Sequence, residues 1–169
     1  MLDYVVLYHS ETGNTKKIAT EIFSALPGMS KDLISITEVD NIPQASTYFV
    51  GFCVHCNTCS LEIGDFLGDL SGKRVALFGT CGLAPSQDAY KKIENNVSIW
   101  IEDDNEYLGA FLCQGKMSLD MRRKCEQKLG SKLLDELHAK KILQNFDEAM
   151  IHPTDEDLKN ARDFAIAHI

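Results

Sequence analysis

Residues 4–16, YVVLYHSETGNTK, decide how the rest of the chain is read. Tyr4 to Tyr8 is an unbroken apolar run rich in β-branched and aromatic side chains, the pattern of a strand buried on both faces. A polar stretch follows, His9-Ser10-Glu11-Thr12-Gly13-Asn14-Thr15-Lys16. Beyond it Ile18, Ile22 and Leu26 recur every four residues, with Ala19 and Phe23 beside them, as one face of a helix that Pro27-Gly28 ends. The polar stretch therefore sits at a helix N-terminus. The first amides of a helix lack intrahelical partners and carry partial positive charge, so they form a ready phosphate site. Ser10, Thr12 and Thr15 add hydroxyl donors and Asn14 an amide donor. Gly13 permits an unusual backbone angle and close approach of a ligand. The spacing is neither G-x-G-x-x-G nor G-x-x-x-x-G-K-[ST], and no Arg clamp accompanies it. A polar capping turn without a ligand is the plainer alternative.

The same alternation continues. Leu33 to Ile36 is a weaker, partly alternating strand of the edge type, and Tyr48 to Phe52 and Val75 to Phe78 are further buried runs. Leu61 to Leu70 reads as a short helix with Ile63, Phe66, Leu67 and Leu70 inward. Pro85 and Ser86 start a helix whose face carries Ala89, Ile93, Val97 and Trp100. Tyr107 to Cys113 is the fifth strand. Ser118 caps a helix carrying Met121, Cys125 and Leu129, which Gly130 interrupts. Leu134, Ile142 and Phe146 mark another helix. Thr154 and Asp157 have capping-box spacing before a last helix with Leu158, Ala161 and Ala165 inward. Five strands alternating with helices imply an α/β fold, a single domain over 1–169 with a mostly parallel sheet and helices on both faces. In such sheets ligands bind beyond the C-terminal strand ends.

The bulk numbers fit this. The 169 residues are 44% hydrophobic and carry a formal net charge of −8, enough chain for a full core and the wrong sign for a nucleic-acid binder. The N-terminus has no basic start, and its apolar run is too short for a signal peptide or a membrane span. A cytoplasmic protein without membrane attachment is expected. Stable disulfides are then not expected among six cysteines, and Cys113 and Cys125 fall in apolar patterns as small core residues. The cluster Arg122-Arg123-Lys124 with Lys128 reads as a solvated helix face or a docking patch.

The string Ser10-Glu11-Thr12-Gly13-Asn14-Thr15 directly after a first strand resembles the phosphate loop of flavodoxins, [ST]-x-T-G-x-T. The strand spacing and the Gly-Thr loop after the fourth strand are similar as well. The resemblance covers nearly the whole chain and is weakest over residues 131–150. It implies a flavodoxin-like three-layer sandwich with strand order 2-1-3-4-5, FMN as cofactor and low-potential one-electron transfer. Carried over by residue, Ser10, Thr12, Gly13, Asn14 and Thr15 match the phosphate loop. Glu11 contributes its backbone and turns its carboxylate to solvent. Val54, His55, Cys56, Asn57 and Thr58 match the loop on one side of the isoalloxazine, and Thr80, Cys81, Gly82 and Leu83 the loop on the other. The family commonly has Trp or Tyr here. This chain has only His55 in the first loop and no aromatic from Thr80 to Ser86. Asn57 stands near where flavodoxins use a Gly, and Asn tolerates positive φ better than other non-Gly residues.

Cys53, Cys56 and Cys59 form a C-x-x-C-x-x-C run at this loop. They read as adaptable wall residues around the flavin. A metal is not expected. If a cluster or metal were held, Cys53, Cys56, Cys59 and Cys81 would be its candidate ligands, with His55 beside them. Cys56 and Cys59 also have the spacing of a redox dithiol. The expectation carried forward is a monomeric FMN electron carrier serving redox partner proteins, a reductase donor and an acceptor. An FMN-dependent NAD(P)H–quinone reductase, and a metal or dithiol module on the same fold, are the alternatives.

Overall fold

The computed structural model describes residues 1–83 and 86–169. Pro85, expected to help start a helix, lies outside them. The elements run β1 (Leu2–Tyr8), α1 (Asn14–Ala25), β2 (Lys31–Ser35), β3 (Ala45–Cys53), α2 (Leu61–Gly68), β4 (Arg74–Cys81), α3 (Gln87–Ser98), β5 (Glu106–Gln114), α4 (Leu119–Gln127), α5 (Leu133–Ala149) and α6 (Asp155–Ala167). The strands form one parallel sheet in the order β2-β1-β3-β4-β5, as the resemblance implies.

The period of two along each strand divides the core between the two faces. Val5, Leu7, Tyr48, Val50, Phe52, Val75 and Leu77 point to one side. There they pack with Ile63 and Leu67 of α2 and with Ile93 and Val97 of α3. Val6, Tyr8, Phe49, Ala76 and Phe78 point to the other, against Ile18, Ala19 and Ile22 of α1 and Ala161 and Ala165 of α6. Every strand that reads as a continuous apolar run is thus covered on both faces, which is why alternation is absent from its sequence. In β5, Val75 faces Tyr107 while Ala76 faces Gly109, so Leu108 is an extra residue in a bulge at this edge.

Caps follow the sequence closely. Ser86 accepts from Ala89 N and Ser118 from Met121 N, and Thr154 and Asp157 form a complete capping box. Cys113 and Cys125 are buried core residues. Several expected helix faces are corrected. The helix α3 ends at Ser98, so Trp100 lies in the turn beyond it and packs its ring on Gly64 of α2. Leu70 lies beyond α2, though still buried. Met121 and Leu129 are 43% and 45% exposed, and Leu134 is 81% exposed. The reason is that α4 and α5 pack chiefly on each other through Cys125, Ala139 and Ile142, while Phe146, on the expected face, and Ala149 are also buried, and the rest of the apolar stripe is left uncovered. Two of the four residues of the basic cluster are ion-paired: Arg122 with Glu126 and Asp147, and Lys124 with Asp120. No helix among the described residues is long and apolar enough to cross a membrane.

Candidate functional site

The C-terminal ends of β1, β3, β4 and β5 meet at one edge of the sheet. After β1 the chain enters α1 through Gly13, which sits in the left-handed region at φ 83° with open space where a Cβ would stand. Among the described residues, no hydrogen bond from the backbone amides of Thr12, Gly13, Asn14 or Thr15 to a protein acceptor is present; the first helical bond is Lys17 N to Gly13 O. Ser10 Oγ accepts from Lys16 N at 3.3 Å. This is a cradle of free amides at the positive end of a helix, and it suits a phosphate.

Two of the expected side-chain donors are engaged inside the protein. Asn14 is buried and donates to Thr12 Oγ1 at 2.8 Å and to the Lys116 carbonyl at 2.9 Å. Thr15 and Thr80 share a buried hydroxyl–hydroxyl bond of 2.9 Å. Asn14 ties the start of α1 to the exit of β5, and Thr15 ties it to the end of β4. What Asn14 and Thr15 offer outward is their backbone.

The loop after β3 is a tight turn. His55 and Thr58 exchange both backbone N–H···O bonds at 2.9 Å, and Cys56 and Asn57 between them have φ of 48° and 64°. Two central residues at positive φ mark a type I′ turn. Asn57 thus adopts the angle expected of it, and Cys56 does so without the usual aptitude of Gly or Asn. Asn96 of α3 donates to the Asn57 carbonyl at 2.9 Å. His55, Cys56 and Asn57 are exposed, while Val54 packs against the core. The Glu11 carboxylate is exposed, as expected, and also lies 2.9 Å from His55 Nε2, joining the β1 loop to the β3 loop.

The loop after β4 is held from behind. Gly82 O accepts from Gln114 Nε2 at 3.1 Å and from Asn145 Nδ2 of α5 at 2.9 Å. A Cβ on Gly82 would fall 2.5 Å from Met117 Cγ, so only Gly admits this approach. Leu83 packs with Met117 against the seam of α4 and α5. Sequence reasoning missed Asn145, Met117 and Gln114, none of which lies in a motif. It also missed Tyr90, a half-buried aromatic on α3 whose hydroxyl lies beside the Cys81 sulfur.

The cysteines separate. Cys59, Cys81, Cys113 and Cys125 are buried, Cys53 is half-buried and Cys56 is exposed, all as free thiols. Burial pushes the Cys81 thiol up to about 12, with the Tyr90 hydroxyl pulling against it. Burial likewise raises Cys59 and, helped by the Glu11 carboxylate, Cys53. Cys53, Cys56, Cys59 and Cys81 do not converge on a common point. Among the described residues the group of metal-capable side chains that does converge is Glu11, Cys53 and His55.

Residues 5–166 match the family model described as a flavodoxin domain. The chain is 34% identical over 166 residues to the flavodoxin-like domain-containing protein BilS of Clostridioides difficile (strain CD3), covering 95% of this chain and 93% of that protein. It is 32% identical over 100 residues to a flavodoxin of Megasphaera elsdenii, covering 52% of this chain and 72% of that one. Oxidised flavodoxin 2 from Bacillus cereus superposes with a TM-score of 0.57 at 17% identity, covering 98% and 97% of the two chains, a likeness of fold.

Proposed function

This chain belongs to the flavodoxin family, and we propose that it is a monomeric cytoplasmic carrier that holds FMN and passes single electrons at low potential between redox partner proteins, one of them a reductase. The observation that carries the reading is the row of free amides from Thr12 to Thr15 at the mouth of α1, joined by the family's preference for FMN. When bound, FMN supplies reversible one-electron chemistry; the protein supplies binding, orientation and electrostatics.

The chain's own residues divide that work. The backbone of Thr12 to Thr15 and the hydroxyls of Ser10 and Thr12 would hold the phosphate. The turn from Val54 to Thr58 and the loop from Thr80 to Leu83 would bound the ring. The first is fixed by its reciprocal hydrogen bonds and Asn96, the second by Gln114 and Asn145. The exposed edge at His55 to Asn57 leaves a partner access. A net charge of −8 opposes arrival of further negative charge, which lowers the potential, and it favours encounter with basic partners.

Anaerobic titration of the purified chain with FMN tests this. A two-band flavin spectrum shifted from free FMN, followed by reduction in two separate one-electron steps, is the expected result. An FMN spectrum that the protein leaves unchanged would overturn the reading. Steady NAD(P)H–quinone turnover by the protein alone would replace the carrier with an enzyme.

A further inference from the structure

Three donor atoms from two loops converge at the rim of the site. Glu11 Oε1 lies 2.9 Å and Cys53 Sγ 3.5 Å from the same atom, His55 Nε2, and all three lie within 4.8 Å of one another. We propose that Glu11, Cys53 and His55 form a binding site for a divalent transition-metal ion, with Zn²⁺ the best match, that clips the β1–α1 loop to the β3–α2 loop.

The donor set is the first argument. Thiolate, imidazole and carboxylate together suit zinc and exclude the all-oxygen preference of Mg²⁺ and Ca²⁺. Geometry is the second. Bonds of about 2.3 Å to sulfur and about 2.0–2.1 Å to nitrogen, at a tetrahedral angle, place those two ligand atoms about 3.5 Å apart. Cys53 Sγ and His55 Nε2 already stand at 3.5 Å. The carboxylate stands closer than an ion between it and the imidazole allows, but Glu11 is exposed and free to draw back.

Connectivity is the third argument, and it decides against a thiol-activating relay. A relay needs the thiol and the carboxylate on opposite ring nitrogens, so that one proton passes and the other is held. Here both address Nε2, and one nitrogen cannot serve both. An ion between the three atoms satisfies them together. Nor is the convergence explained as a device of the fold, since an exposed histidine–carboxylate pair adds little stability.

The ligands are placed before any ion arrives. Cys53 ends β3 opposite Thr80, and His55 is held in its turn by Thr58. His9 Nδ1 lies 4.0 Å from Cys53 Sγ, beyond the ligands, as a supporting partner for the sulfur. Binding displaces the thiol proton of Cys53 and leaves the fourth position to water. Glu11, Cys53 and His55 are not among the groups assigned to the phosphate, and although His55 lies in the turn assigned to the ring, the convergence of the three atoms does not depend on a bound flavin.

Calorimetric titration of the reduced, FMN-free full chain with ZnCl₂ tests the proposal. One ion per chain is expected. Cys53→Ser and Glu11→Gln should each weaken binding by more than about tenfold, since supporting residues alone commonly matter 10–100-fold. Cys56→Ser, whose exposed sulfur lies outside the cluster, should leave zinc affinity unchanged. With CoCl₂, thiolate-to-cobalt charge-transfer absorbance should appear in the parent and in Cys56→Ser and vanish in Cys53→Ser. Circular dichroism checks that the variants fold, and Glu11→Gln, an exposed change, decides the matter if Cys53→Ser does not. Absence of saturable zinc uptake, or uptake unchanged in folded Cys53→Ser or in Glu11→Gln, would overturn the site.

Discussion

Asn145 donates its side-chain amide to the backbone carbonyl of Gly82 at 2.9 Å, across 63 residues of sequence. The bond makes α5 a support for the loop after β4. The same carbonyl accepts from Gln114, which also donates to Asn145 Oδ1 at 3.4 Å, so β5 and α5 hold one peptide together.

Asn145→Leu should therefore loosen the loop without emptying the site. The change removes two hydrogen bonds, the one to Gly82 O and a longer one of 3.4 Å that Asn145 Oδ1 accepts from Gln114 Nε2, so stability is expected to fall by about 1–2 kcal/mol and FMN affinity about fivefold, because Gln114 still donates to Gly82 O. Urea unfolding and flavin fluorescence titration measure the two effects. Lower stability with unchanged FMN affinity would place α5 outside the cofactor site.

Thr12→Asp tests the phosphate cradle. Thr12 is exposed, and its hydroxyl accepts from Asn14; an aspartate carboxylate can accept the same bond. Stability should shift by no more than about 0.5 kcal/mol. A carboxylate about 4 Å from the phosphate costs about 4 kcal/mol at an effective dielectric of about 20, which is nearly a thousandfold in affinity. Unchanged FMN affinity would mean that the phosphate binds elsewhere.

Gly51→Ala probes the sheet beneath the site. Gly51 pairs with Phe78, and a Cβ there would fall 2.2 Å from Phe78 Cζ in the buried layer under α1. The ring must move within a close-packed core, so a loss of about 1–3 kcal/mol is expected. Thermal unfolding should show a lowered Tm, and Phe78→Leu in the same chain should recover part of it. A Tm equal to that of the parent would show that the ring has room to yield.

Alkaline pH should unfold the protein early. Burial pushes the Cys81 thiol from 9.0 up to about 12, and burial first also raises the Cys113 thiol and the Tyr90 and Tyr107 hydroxyls. In the unfolded chain Cys81 releases its proton near 9.0, whereas the folded chain keeps it until about 12. The folded state then binds more protons, so stability is full below about pH 9 and is lost as pH rises toward about 12. Urea midpoints measured through this window should fall steadily. A midpoint that holds constant across it would refute the assignment.

The cradle could be read from the sequence because all its parts are consecutive: a strand end, a Gly and the first turn of a helix. The two-sided strands were readable for a related reason, since burial on both faces removes polar residues from the run itself. The faces of α4 and α5 were not. Met121, Leu129 and Leu134 have helical spacing, but those helices cover each other along the seam of Cys125, Ala139 and Ile142 and leave the leucines and the methionine outside. Periodicity reports an apolar stripe and says nothing of whether a neighbour reaches it. The C-x-x-C-x-x-C spacing likewise says nothing of where the sulfurs go: a turn and a helix start send Cys53, Cys56 and Cys59 to a half-buried, an exposed and a buried place.

The sequence by itself determined the alternation of strands and helices, the caps at Ser86, Ser118 and Thr154, and the turn through Gly13 that opens α1, because each rests on chemistry between residues a few positions apart. Only the tertiary structure decided that Glu11 meets His55 and Cys53, that Asn14 reaches Lys116, and that Asn145 holds Gly82. Those partners are separated by dozens of residues, and they come within hydrogen-bond reach only once parallel strands have aligned their C-terminal ends and their loops share one edge.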